Sequence, residues 1–196
     1  MPRLLVGLGN PGAKYRAHRH NVGFMVLDRV HARALGSEWR EKYSGEVSRG
    51  ILAATECLLL KPQTFMNLSG RAVQKALQDL RLTPADIVVV HDDLDLEFAD
   101  VRVKVGGGHG GHNGLRDINA TIGPDYVRVR VGIGRPSDAT MPVEGYVLSA
   151  FDKSEQAEID DVLARAAQAV ERLVSEGPDK TMNVVNAKPK RAKGPA

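Results

Sequence analysis

The sequence predicts a single-domain α/β fold, a mixed, mostly parallel sheet with helices on both faces. Three observations carry this. The apolar runs Arg3–Leu8 and Ile87–Val90 have the length and composition of fully buried strands. Segments with apolar residues at helical spacing alternate with such runs, as at Val73, Ala76, Leu77 and Leu80. The 196 residues, 42% hydrophobic and 26% charged, suffice for one well-buried core, with no internal repeat or linker to divide them.

The elements follow in order. After the first strand, a polar loop from Gly9 to His20 leads to a helix capped by Asn21, running to about Leu35 and ended by Gly36. Met25, Val26 and Val30 share one side of it. Two strands are expected near Glu46–Ala53 and Glu56–Leu60, then a helix over Leu68–Leu82 and a turn at Thr83-Pro84. The buried strand Ile87–Val90 runs into His91-Asp92-Asp93, and Val101–Val105 forms another. The glycine-rich stretch Gly106–Gly114 opens a short helix to about Ile122. Tyr126–Ile133 alternates Val with Arg and reads as a half-exposed strand. Asp152 and Glu155 form a capping-box pattern for a long helix with Ile159, Val162, Leu163, Ala166, Val170 and Leu173 on one face. In such sheets ligands collect beyond the carboxyl ends of strands. The loops Gly9–His20, Lys61–Asn67, His91–Asp95 and Gly106–Asn113 are therefore expected to converge.

Composition narrows the setting. The formal charge is +3, but Lys188, Lys190, Arg191 and Lys193 lie in the last nine residues without an acid, so removing these four leaves −1 on the rest. The division expected is a domain over 1–186 and a basic, disordered tail over 187–196. Cys57 is the single cysteine, which excludes an internal disulfide and suits a reducing compartment. No apolar run approaches the about 18 residues of a membrane span. The run after Met1 is too short for a signal-peptide core, so the expected location is the cytoplasm.

Gly7-Leu8-Gly9-Asn10-Pro11-Gly12 has the G-x-G-x-x-G spacing of dinucleotide-binding loops. Pro11 and the polar stretch Lys14–His20 separate it from any helix, so no helix N-terminus is in place for a pyrophosphate. A tight turn leaving the sheet is the better reading. His20 ends that loop, and Asp92 ends the central apolar strand, where a carboxylate needs a partner. With Asn10, Asn67 and Asn113 on neighbouring loops, a carboxylate-held histidine among amides is the arrangement of a general base that activates water. The glycines of 106–114 allow a phosphate or ester oxygen to approach backbone N–H groups. A metal site formed by His109 and His112 with His91, Asp92, Asp93 and Asp95 is the weaker alternative, since the two histidines lie in a glycine-rich loop, not at i, i+4 on a helix, and no cysteine accompanies them. A surface loop without function is another. No G-x-S-x-G elbow is present and Cys57 lies inside a strand, so direct attack by water, without a covalent intermediate, is the simpler chemistry.

Taken together the motifs resemble the bacterial-type peptidyl-tRNA hydrolases. The resemblance rests on Gly7–Gly12 with Tyr15 and Arg19-His20-Asn21, on Lys61–Gly70, His91–Asp95 and Gly111–Leu115, and on Arg130–Pro136 and Tyr146–Ser149. It runs from about Leu4 to Asn186. It implies an enzyme that cleaves the ester between a peptide, or an N-blocked aminoacyl group, and the terminal ribose of tRNA, recycling tRNA from peptidyl-tRNA released prematurely by ribosomes. It implies His20 as the base, Asp92 as its orienting partner, and Asn10 as the group that reads the peptide end. Tyr15, Phe65, Asn67 and Asn113 would contact the terminal nucleotides or the peptide near the ester. It further implies a monomer without cofactor or metal, with contact to the large ribosomal subunit left open. Two places depart from the family's pattern, His18 where Thr usually stands and Glu97-Phe98-Ala99-Asp100 in place of a Pro/Gly turn. Both bear on loop shape. For tRNA phosphates, Arg102, Lys104, Arg128, Arg130 and Arg135 are weaker candidates. An RNA-binding module without catalysis, with the glycine loop as a clamp, is the alternative from a different class; the presence of both His20 and Asp92 argues against it.

Overall fold

A computed structural model describes residues 3–187. The tail expected from 187 onward lies, apart from its first residue, outside the described residues. Seven strands, β1 (Leu4–Gly7), β2 (Arg40–Lys42), β3 (Gly45–Leu52), β4 (Thr55–Pro62), β5 (Ile87–Asp93), β6 (Val101–Val105) and β7 (Val127–Gly132), form one sheet in the order β2-β3-β4-β1-β5-β7-β6. The four central strands are parallel, and β2, β3 and β6 add antiparallel pairings at the two sides. The helices are α1 (Val22–Arg33), α2 (Ser69–Leu80), α3 (Asn113–Ile122), α4 (Val143–Val147), α5 (Lys153–Gln156), α6 (Ile159–Glu176) and α7 (Pro178–Val185).

Alternation along the strands builds two cores. Leu5, Val88 and Val90 face α1 and α6, joining Val22, Val26, Leu27, Val162, Val170 and Leu173. Leu4, Val6, Ile87 and Val89 face α2 and α3, joining Val73, Ala76, Leu77, Leu115 and Ile118. Burial on both sides explains the unbroken apolar runs of β1 and β5. Where α1 crosses β1, a Cβ on Gly7 would stand 2.3 Å from the Gly23 carbonyl oxygen, and one on Gly23 would stand 2.4 Å from the Val90 oxygen. Glycine is thus required on both elements, and the G-x-G spacing serves helix packing.

Several expectations need correction. Asn21 does not cap α1; its side chain accepts from the Asn10 N–H at 3.0 Å and donates to the Asn10 carbonyl at 2.9 Å. Leu35, not Gly36, takes the left-handed conformation after α1, with φ 48°, and the residue is 90% exposed. The Asp152/Glu155 capping box exists but opens the four-residue α5; the long helix α6 begins separately at Ile159. β7 is not half-exposed, because β5 and β6 flank it, α6 packs on one face and the glycine-rich loop lies against Arg128, so that even Arg128 is buried. At the outer edge of β6, Asn186 accepts from the Val103 N–H and donates to the Val103 carbonyl, both at 2.8 Å.

The loops after β1, β4 and β5 leave the carboxyl end of the parallel strands. The glycine-rich loop does not. β6 is antiparallel, and Val105 lies level with Val127 at the start of β7. The loop must therefore climb the α3 face to reach the Asp92 level, about 13 Å at 3.3 Å per residue. Arg128 holds it on the way, donating to the Gly108 carbonyl at 2.6 Å and to that of Gly107.

Candidate active site

A cleft of about 810 Å³ opens where these segments meet, lined from all four loops and by Val143, Val147 and Leu148. Its chemistry centres on one oxygen. Asp92, 2% exposed at the end of β5, accepts at Oδ1 from His20 Nδ1 at 2.8 Å and from His112 Nε2 at 2.9 Å. The local folding fixes both tautomers. His112 stands immediately before α3, and its Nδ1 accepts from the Gly114 and Leu115 N–H groups at 3.1 and 3.3 Å. Nδ1 is thus a lone pair and Nε2 carries the proton given to Asp92. His20 also gives its Nδ1 proton to Asp92, and its Nε2 makes no hydrogen bond within the described residues and is left to the cleft.

The charges agree with this arrangement. Burial works to raise the Asp92 carboxyl, but electrostatic attraction to the His20 and His112 imidazoles and their hydrogen bonds outweigh it and hold the group well below the carboxylate range. At His20, burial works downward, while the Asp92 charge and hydrogen bond more than offset it, so the imidazole is raised. Asp92 is therefore an anion at neutral pH, beside an imidazole whose affinity for a proton it increases.

His20 is placed by its neighbours. Arg19, 2% exposed, donates to the Ala150 carbonyl and to Glu155, each at 2.6 Å, and lies over the rings of Tyr146 and Phe151. Asn21 on the other side is bound to Asn10. Asn10 in turn accepts the Met66 N–H at Oδ1, 2.8 Å away, so its free group in the cleft is the donor NH₂. Asn113 similarly commits Oδ1 to Arg116 at 3.0 Å. Phe65 and Asn67 are exposed on the cleft rim.

Among the residues singled out from sequence, the structure brings His20, Asp92, Asn10, Phe65, Asn67 and Asn113 to one cleft. Tyr15 does not line it; its ring packs edge-on against His18 at 5.4 Å, under Lys14. Of the basic candidates, Arg102 is tied to Asp100 and the Asn186 carbonyl, Arg130 to Asp93 and Arg135 to Asp95, while Arg128 braces the glycine loop. Lys104 lines the cleft without an acidic partner among the described residues. Sequence reading missed His112 as a hydrogen-bond partner of Asp92, and the bracing roles of Arg19 and Arg128. A histidine directly preceding a helix start was the available signal for His112, since an acceptor there caps the helix.

His20, Asp92 and His112 are also the described residues close enough to share a metal ion, with ligand atoms within 4.8 Å of one another. The set differs from the one suggested by sequence, as His91, Asp93, Asp95 and His109 are not in it. Both imidazoles point N–H groups at the same carboxylate oxygen, and His112 spends its other nitrogen on α3. This donor set is satisfied by its own hydrogen bonds. Cys57 lies elsewhere, buried in β4, with burial and Glu56 pushing its thiol up to about 11.

The sequence profile of the peptidyl-tRNA hydrolase family matches residues 4–193, nearly the whole chain. The chain belongs to that family. A peptidyl-tRNA hydrolase of Paracoccus denitrificans is 50% identical over 186 residues, covering 95% of this chain and 79% of that one. One from Geobacter is 48% identical, over 95% of this chain and 98% of the relative. The crystal structure of peptidyl-tRNA hydrolase from Acinetobacter baumannii superposes with a TM-score of 0.89 at 38% identity, covering 95% of each chain. The peptidyl-tRNA hydrolase match extends past Asn186, where the resemblance read from motifs had ended, into the basic tail. Among the described residues no helix is long and apolar enough to cross a membrane.

Proposed function

We infer that this chain hydrolyses the ester joining a peptide, or an N-blocked aminoacyl group, to the terminal ribose of tRNA, with water activated by His20. The observation that carries the mechanism is the shared Asp92 oxygen, which fixes His20 as an Nδ1–H donor and leaves Nε2 as a lone pair in the cleft. Nε2 takes a proton from water as the water oxygen attacks the ester carbonyl carbon. The C–O bond to the ribose then breaks, and His20 returns the proton to the leaving ribose oxygen. An ester is an activated acyl group, so one positioned base and a few amide donors suffice. The NH₂ groups of Asn10 and Asn113 and the side chain of Asn67 supply such donors for the carbonyl oxygens. No step requires a cofactor, and every group comes from one chain. The product tRNA is free to be charged again, which is the recycling role.

Incubation with N-acetyl-aminoacyl-tRNA tests the reading. Release of N-acetyl amino acid and tRNA with free terminal hydroxyls is expected; tight binding without release would leave an RNA clamp instead.

Asn10 gives the selectivity. Because Oδ1 is committed to Met66, the cleft side of Asn10 is a donor, suited to the carbonyl of a blocking acyl group and unsuited to the ammonium of free aminoacyl-tRNA. Asn10→Asp keeps an acceptor for Met66 and replaces the donor by an anionic acceptor. The preference for blocked over free substrate should shrink by about tenfold, equivalent to about 1.4 kcal/mol. Competition between N-acetylated and free aminoacyl-tRNA measures it, and an unchanged ratio removes Asn10 from this role.

Lys104 is the cleft cation available to a phosphate. Lys104→Ala should weaken binding and reduce the slope of log affinity against log salt by about 0.7–0.9, the value of one lost phosphate contact. Titrations from low to moderate salt read the slope directly; the wild-type slope in the variant would place the phosphates elsewhere.

A further inference from the structure

We propose that His91 is a positioning residue that sets the direction of the Asp92 carboxylate, and through it the geometry of His20. The role rests on the hydrolytic reading above. It begins with where β1 stops. The β1–β5 ladder ends at Gly7 opposite Val90, and the Leu8 N–H adds one bond to the Val90 carbonyl at 3.0 Å, while β5 runs on to Asp93. Carbonyls two residues apart in a strand point to the same side, so that of Asp92 points where β1 has run out. The Asp93 carbonyl, on the other side, has its donor in Ile133 N–H at 3.0 Å. The donor for Asp92 is the adjacent side chain. His91 Nδ1–H reaches the Asp92 carbonyl at 2.7 Å.

His91 is 2% exposed, and its ring stands edge-on to that of His112 at 5.2 Å. It therefore touches both the backbone of Asp92 and the second imidazole on the Asp92 carboxylate. Donation from Nδ1 leaves Nε2 as a lone pair, which finds no donor among the described residues. Burial first, and His112 second, pull His91 down to about 3, against the opposing effects of Asp92 and Asp93, so it remains a neutral strut while His20 exchanges protons.

Two amides separate this role from packing. In His91→Asn the side-chain NH₂ sits where Nδ1 was and can donate to the same carbonyl. In His91→Gln the amide lies one carbon further out, and the Nδ1 position falls to the amide carbon, which has no proton to donate. The groups facing His20 are Asp92 on β5 and His112 before α3, since Arg19 turns to Ala150, Glu155 and Asp152. Those around His91 are Asp92, Asp93, His112 and, across the ladder, Arg130. His91→Gln should lower kcat on N-acetyl-aminoacyl-tRNA by about tenfold with KM changed less than about twofold, as expected for a displaced catalytic group. NMR titration of the His20 ring without substrate should move to lower pH. His91→Asn should restore most of kcat and the wild-type titration. An Asn variant as impaired as the Gln variant, or a Gln variant with wild-type kcat and titration, overturns the proposal. Should the Gln variant fail to fold, the Asn variant decides, since a downward titration in it is equally fatal. The titration is independent of turnover, so failure of the hydrolytic reading would show as absent wild-type activity with the His91 effect on His20 intact.

Discussion

His20→Ala should reduce turnover of N-acetyl-aminoacyl-tRNA by about 10²–10⁴-fold, the usual contribution of a general base. KM should change little, because the carbonyl and phosphate contacts proposed for Asn10, Asn113 and Lys104 remain. The fold should persist. The turn carrying His20 is held by the Arg19 hydrogen bonds and the Asn10–Asn21 pair, neither of which uses the imidazole. Asp92 keeps His112 as a donor. Single-turnover kinetics with a thermal melt checks both halves of the expectation. A folded variant with near-normal turnover would end the mechanism.

Asp92→Asn should change both the height and the shape of the pH profile. A base must be neutral to accept a proton, so kcat/KM rises with pH through the His20 titration. In the wild type burial works to lower that titration, and the charge and hydrogen bond of Asp92 outweigh it, so the acidic limb lies higher than for an ordinary imidazole. Removing the charge leaves burial, and the limb moves to lower pH. The plateau falls at the same time, by about 10²–10⁴-fold, since the imidazolium formed during attack loses its counter-ion and the tautomer its anchor. Asp93 is the control. It serves Arg130 at 2.8 Å and the Asp95 N–H at 2.9 Å, so Asp93→Asn should neither move the limb nor lower the plateau as far. If Asp93→Asn produced both changes and Asp92→Asn neither, the partner of His20 would be misassigned.

The strands buried on both faces were legible because burial alone dictates unbroken apolar runs, as in Leu4–Val6 and Ile87–Val90. β2 was not, since Arg40-Glu41-Lys42 is an exposed edge whose place is set by pairing with β3. The Asp152/Glu155 pattern was read correctly as a cap but given to the wrong helix, because a four-residue helix has no periodicity to display. Asn21 illustrates a deeper limit. A residue suited to capping α1 was instead recruited by Asn10, a choice made by loop packing rather than by local propensity. At the site, His20 and Asp92 stood out by residue type at strand and loop ends. His112 reaches the same oxygen only because the glycine loop climbs the α3 face under the hold of Arg128, and nothing in the alternating Val and Arg of β7 announces that one arginine points inward as a brace.

The amide of Asn186 against Val103 bears on how this sheet meets other molecules. An open sheet has two borders, and each unpaired row of N–H and C=O groups is a template for a foreign strand. On one border the outermost strand is three charged residues long. On the other, a single side chain imitates the two hydrogen bonds of a neighbouring strand at the middle of β6, and Arg102 fastens the same residue through its carbonyl at 2.6 Å. Fibrous growth by strand addition is thereby obstructed at both borders. The turn that follows α7 acts as a plug against aggregation, and replacing Asn186 would present β6 to its neighbours in solution.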